Sequence, residues 1–174
     1  SISKMLHPNG FLENTEKTVI LTTGVEPADA LSAGPLSAIY GQAPILLNNS
    51  SNLLPEVKDE LKRLGAEKVI IIGGPVAIAP TVENGIHSLG IKTERISGET
   101  RVETNLRIVE RLDSVDGVFV ASARSFPDAL ASAPIAAANN WAIVLTEQNN
   151  ISAAALKYLS GKKTVILGGS DVVS

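Results

Sequence analysis

Apolar and polar positions alternate along this chain in short blocks whose period switches between strand and helix. Thr18–Thr23, Lys68–Ile72 and the segment 118–122 are apolar and β-branched without polar interruption, the pattern of strands buried on both faces. Ala43–Leu47 and 142–146 read the same way, and Thr93–Ile96 and 164–167 as shorter strands. Between them, Leu54, Val57, Leu61 and Leu64 recur at helical spacing, as do Val102, Leu106, Val109 and Leu112. Pro27 opens an Ala- and Ser-rich helix ended by Gly41; further helices are predicted over Pro80–Leu89, 127–139 and 152–159. Ser1–Lys17 is polar, turns at Pro8-Asn9-Gly10 and shows no sustained period, so it reads as a lead-in segment. Strands alternating with helices predict an α/β fold with a mostly parallel sheet.

The order of these blocks is written twice. VILTTGVEPADALSAGPL at Val19–Leu36 returns as VFVASARSFPDALASAPI at Val118–Ile135, with Asp29 falling on Asp128 and Pro35 on Pro134 at an offset of 99. Ile70–Pro75 (IIIGGP) returns as Val165–Ser170 (VILGGS) at an offset of 95. A period of that length is a small domain rather than a solenoid unit. The sequence therefore divides into a lead-in at 1–17, a first repeat at 18–113 and a second, incomplete repeat at 114–174, which holds no second copy of RISGETRVETN.

Composition removes several function classes. Asp and Glu number 18 against 15 Lys and Arg, and aromatics are 3%, so neither phosphate-backbone attraction nor base stacking is provided and nucleic acid is not an expected partner. No apolar run approaches the roughly 18 residues of a membrane span. With no cysteine there are no disulfides or thiolate metal sites, and neither metal nor cofactor is expected.

Candidate chemistry gathers at strand ends. Asp29 and Asp128 follow strand carboxyl ends, where they can face a ligand or stabilise the first turn of their own helices. Gly73-Gly74, like Gly168-Gly169, can aim amides at an anion or simply supply a tight turn. No GxGxxG or GxxxxGK[ST] loop accompanies them. The densest polar stretch is Arg95–Asn105, RISGETRVETN. Arg101 there can present a guanidinium fork to phosphate or carboxylate, or pair internally with Glu99 or Glu103. His7 and His87 are isolated, and no nucleophile elbow surrounds Ser32, Asp29 and His87.

Taken together, Asp29 and Asp128 in their repeated helix starts, Pro44-Ile45-Leu46-Leu47, the Gly-Gly pairs and Arg95–Asn105 resemble the cell-wall-binding repeat 2 family of Gram-positive surface proteins, over about residues 18–174. The resemblance implies Toprim-like modules in tandem, usually three about a pseudo-threefold axis, that are not enzymes. It implies a cell-surface, S-layer-associated module anchored to an anionic polymer, teichoic-acid-like or another secondary wall polysaccharide, with a dimeric or trimeric assembly left open. Arg95 and Arg101 are then the candidates for phosphate or carboxylate groups. Asp29, Asp128 and Asn105 are candidates for sugar hydroxyls, with Gly73 and Gly74 beside them. Val102 stands where the family commonly has Tyr, and Ala142 where the first repeat has Pro44. The competing expectations are a structural self-assembly module of the cell surface and a small-ligand domain or enzyme using the crevice near Asp29 and Gly73-Gly74.

Overall fold

A computed structural model describes residues 2–13, 15–25, 27–112, 114–124 and 127–169, without the side chains of 27–30. In chain order the elements are α1 (Ile2–Leu6), β1 (Thr18–Thr23), α2 (Pro27–Ile39), β2 (Ile45–Asn48), α3 (Pro55–Leu64), β3 (Lys68–Ile72) and α4 (Pro80–His87). They continue with β4 (Lys92–Ile96), α5 (Arg101–Val109), β5 (Gly117–Ser122), α6 (Pro127–Ala138), β6 (Trp141–Thr146), α7 (Ala153–Leu159) and β7 (Thr164–Ile166). They form two compact units, Ser1–Glu26 with Ser37–Ser97, and Pro27–Leu36 with Gly98–Ser174. The expected α/β class with parallel sheets is what the chain adopts.

In the first unit the four strands run parallel in the order β2-β1-β3-β4. The central strands β1 and β3 explain the unbroken apolar runs, because alternate residues serve opposite faces and both faces are covered. Val19, Leu21, Val69 and Ile71 meet Leu61 and Leu64 of α3 and Val82 and Ile86 of α4; Ile20, Ile70 and Ile72 are as fully buried on the other face. Pro55 at its first turn and Gly65 in the left-handed conformation (φ 66°) bound α3, and Lys62 and Arg63 complement its carboxyl end.

The helix α1 is one element the periodicity did not reveal. It has five residues, of which Ser3 alone is buried, so it carries no apolar stripe to read. Its position comes from 56 residues away: Arg63 donates to the carbonyls of His7 (2.7 Å) and Pro8 (3.2 Å) while pairing with Glu60 at 2.7 Å. Gly10 then turns at φ 82°, where a β-carbon would stand 2.7 Å from the Arg63 carbonyl, and the Phe11 amide donates to Leu64. The lead-in is thus fastened to the end of α3.

In the second unit β6-β5-β7 form a parallel sheet. One side packs Ala121, Ile143 and Leu145 with Leu31 of α2 and Ala129 and Ala136 of α6. The other packs Val118, Ala142 and Val144 with Leu106 and Val109 of α5 and Ala155 of α7. Both Ala-rich helices carry an internal proline at the repeated position, Pro35 and Pro134. Small side chains let α6 lie close on β5 and β6. At Gly117 the approach is closer still, since any β-carbon would enter the Trp141 ring.

Hydrogen bonding from Arg63 lowers the Glu60 carboxyl from its ordinary 4.5 to about 2, against the upward push of burial. A depressed carboxylate contributes stability that is complete above 4.5 and is lost as pH falls towards 2. Thermal melts of the wild type and Glu60→Gln should therefore differ most at neutral pH and converge across that window. A gap that stays constant with pH would show that Glu60 does not act through its charge.

Candidate functional site

The polar cluster at the start of α5 is largely a device for starting that helix. Thr100 is the N-cap, and its hydroxyl accepts from the Glu103 amide at 3.2 Å. Glu103 reaches back to accept from the Glu99 amide at 2.8 Å, and the Gly98 amide donates to the Thr104 hydroxyl at 2.9 Å. This is a capping box, shifted by one residue at its return bond, and it consumes amides that the helix leaves without internal partners. Gly98 is obligatory, because a β-carbon there would collide with the Glu103 side chain and lie 2.7 Å from the Thr104 nitrogen. The pattern Thr-x-x-Glu carried this signal in the sequence, beside the ion pairing considered for Arg101.

Arg101 is exposed at the first position of α5, and its Nη1 donates to the carbonyl of Ala123, just past β5, at 3.4 Å. Asn105, one turn on, is 1% exposed. Its Nδ2 donates to the Ser32 hydroxyl at 2.9 Å and the Ile143 carbonyl at 2.8 Å, while its Oδ1 accepts from the Leu145 amide at 2.8 Å. Both amide hydrogens are committed inside the protein. Ser32 and the backbone of β6 are functional partners that no sequence spacing announced, since they lie 73 and 38–40 residues from Asn105. Asp128 is exposed in the first turn of α6, next to the 124–127 connection, and the Asp29 side chain lies outside the described residues.

The other candidates lie in the first unit. The order β2-β1-β3-β4 reverses direction between β1 and β3, the kind of switch point at which ligands of open α/β sheets bind, and Gly73 follows the carboxyl end of β3. The Gly73 amide donates to Ile96 and its carbonyl accepts from Arg95 at 2.8 Å, with φ at 107°. The Gly74 carbonyl accepts from Ala77 and Ile78, closing a turn. Arg95 also pairs with Glu83 at 2.9 Å. Burial pushes the Glu83 carboxyl up, but its bonds from Arg95 and Thr93 prevail and hold it below its ordinary value. In the second repeat, Gly168 repeats the positive φ of Gly73 (102°), and Ser170 lies outside the described residues. Arg95 and Gly73 are thus brought together, and Arg101 and Asn105 lie one turn apart on α5.

Open concavities are found among the described residues. One of about 650 Å³ lies between β2 and α3, lined by Ile45, Leu47, Val57, Glu56 and Lys4. Another of about 400 Å³ runs along α5 past Glu99, Glu103, Arg107 and Glu110. Among the described residues no group of His, Asp and Glu side chains is placed to hold a metal ion.

The Cell wall binding domain 2 (CWB2) model matches residues 2–83 and 95–174. The chain belongs to this family. CWB2 membership makes it a cell-wall-binding domain of the cell surface, and no described helix is long and apolar enough to cross a membrane. N-acetylmuramoyl-L-alanine amidase LytC of Bacillus subtilis is 34% identical over 164 residues, covering 92% of this chain and 33% of that protein. The amidase enhancer of the same organism is 34% identical over 157 residues, covering 90% of the chain and 21% of that protein. Among solved structures, Cwp8 from Clostridium difficile superposes with a TM-score of 0.86 at 33% identity, over 94% of this chain and 28% of that one. Cwp6 from the same species gives 0.89 at 30% identity, over 99% and 27%. The chain spans a third or less of each. The CWB2 match resumes at residue 95 and the second compact unit at Gly98, whereas the duplication above was counted from strand to strand. A repeating string can be cut at either phase.

Asn105→Ala takes from the Ile143 carbonyl and the Leu145 amide their side-chain partner, and should destabilise the chain by about 2–4 kcal/mol in urea unfolding. Gly98→Ala should cost about 1–3 kcal/mol through its collision with Glu103. Near-neutral values would mean that α5 can begin and dock without these contacts.

Proposed function

We propose that this CWB2 module anchors a longer surface or secreted protein to an anionic secondary wall polymer, and that it does so without turnover. One observation carries the reading: the same segment, occupying a third or less of each, is shared by a protein named as an amidase and one named as an amidase enhancer. A part common to proteins with different named activities is best understood as their common means of attachment. Exposed contacts suit a repeating polymer met by repeated weak sites, where effective concentration supplies the affinity.

Arg101 leads the contacts proposed for phosphate or carboxylate groups, because its guanidinium is exposed at a helix start where the amide ends also favour an anion. Asp128, exposed at the start of α6, is the proposed acceptor for sugar hydroxyls, with Asp29 as its counterpart in the first repeat. Arg95, Gly73 and Asn105 act behind that surface. Arg95 shapes the strand end through Gly73 and Glu83, and Asn105 holds α5 in place. Glu99, Glu103 and Glu110 repel an anionic chain from the groove along α5. A second reading, self-assembly, draws on Leu130 and Ile135, both exposed on α6.

Co-sedimentation with purified Gram-positive walls, before and after mild acid removes anionic polymers, tests the reading. Binding should vanish on stripping, and Arg101→Ala should weaken it about tenfold, the loss of one charge-assisted contact, with the thermal melt unchanged. Equal binding to stripped walls would refute the polymer. Binding to neither by a stable oligomer would favour self-assembly.

A further inference from the structure

The chain has one tryptophan, and it stands at the far end of the second sheet from the polymer contacts proposed above. Trp141 opens β6, Gly117 opens β5 and Lys163 immediately precedes β7. These strands run parallel, so the three residues share the amino-terminal end of the sheet. Arg101 and Asp128 lie beyond the carboxyl end of β5. Strands of six residues, rising about 3.3 Å per residue, put the two ends roughly 20 Å apart.

The indole is laid across its neighbouring strand. Trp141 is the register partner of Gly117, where a β-carbon would stand 2.4–2.7 Å from three indole atoms, so the ring rests on bare backbone. Phe119 braces it, with ring centroids 4.7 Å apart and planes inclined at 43°. Lys163, whose carbonyl accepts from the Val118 amide, brings its ammonium to 5.2 Å from the indole centroid. Trp141 is half-buried and Lys163 exposed, and among the described residues no carboxylate pairs with Lys163. Closing the core does not require an indole here. Ala43, two residues before Ile45 as Trp141 is before Ile143, is 2% exposed in the first unit. The lysine, by contrast, is repeated: Lys68 lies 95 residues before Lys163 and stands 5.5 Å from the Tyr40 ring centroid, but Glu94 neutralises it at 2.8 Å. Only the second unit joins the larger ring to a cation with no counter-charge among the described residues.

We propose that Trp141 and Lys163 form a separate subsite for an acidic sugar residue, whose apolar ring face stacks on the indole while its carboxylate or phosphate meets the Lys163 ammonium. The negative face of an indole attracts a cation and equally the polarised C–H bonds of a sugar ring. In the free protein the ammonium satisfies that attraction. A cation–π pair at an exposed position is weak, whereas an ammonium–anion contact is charge-assisted. An anionic sugar therefore exchanges one for the other: the flexible lysine turns to the anion, and the sugar takes the ring face. The subsite rests on the anchoring reading and deepens it. A single polymer chain engages both ends of the sheet, and each contact raises the effective concentration at the other.

With a single tryptophan in the chain, its emission reports this subsite directly. The whole chain is titrated with polymer released from Gram-positive walls by mild acid, followed by tryptophan emission and by calorimetry together. Binding should shift the emission saturably, at the calorimetric affinity. Lys163→Ala should weaken it about tenfold with the thermal melt unchanged, and Lys163→Arg should restore most of the loss. Arg101→Ala should weaken binding but leave the emission shift at saturation intact. Binding that is indifferent to Lys163→Ala, or that leaves the emission unmoved, overturns the subsite while the anchoring reading stands. An equal emission shift with a neutral glucan overturns the acidic-sugar assignment. No binding by either readout overturns the anchoring reading and the subsite with it.

Discussion

A strand edge with unmet backbone groups is expensive to bury, and in the second unit a single side chain removes the problem. The Asn105 amide supplies one donor to the Ile143 carbonyl and one acceptor to the Leu145 amide, so β6 can be covered without a further strand. Much of the unit follows from placing that amide correctly. It rides on α5, so the start of α5 must be fixed, and Gly98, Thr100, Glu103 and Thr104 fix it. Its second hydrogen engages Ser32, in the Pro27–Leu36 part of α2 that belongs to the same unit although it follows β1 in the chain. The polar density of Arg95–Asn105 is therefore in large part structural.

This changes how a binding surface is to be sought in a CWB2 module. Residues that look like ligand contacts by type divide by burial and by what already occupies their hydrogen bonds. Arg95 and Asn105 bond Glu83, Gly73 and β6, whereas Arg101, which bonds the Ala123 carbonyl, and Asp128 stand at exposed helix starts. Exposed groups at repeated positions suit a polymer better than a small molecule, because each contact can be weak and the repeats add. The slight excess of acidic residues leaves recognition of any proposed anionic polymer to local contacts rather than bulk attraction.

Helix and strand positions were legible to within one to three residues where apolar runs or stripes were long, as at β1, α3 and β3. Legibility failed where position depends on distant partners. The helix α1 has no stripe and is held by Arg63, and the bond that the Glu103 carboxylate accepts from the Glu99 amide was not read beside the ion pairing weighed for Arg101. Asn105 was recognised as significant, but its partners lie on another helix and another strand, and nothing in the spacing points to them.

The sequence by itself determined the alternation of strands and helices, the duplication at an offset of 99 and the family, because each is written in local pattern or in repeated strings. Tertiary structure alone decided which of the repeated residues differ in use. Ile45 and Ile143 have the same identity at the same register, yet Ile45 is 37% exposed while Ile143 is buried with Leu31 of α2 and Ala129 and Ala136 of α6. That difference arises from contacts between segments far apart in the chain, whose pairing is set by unmet backbone groups and packing rather than by any neighbour in sequence.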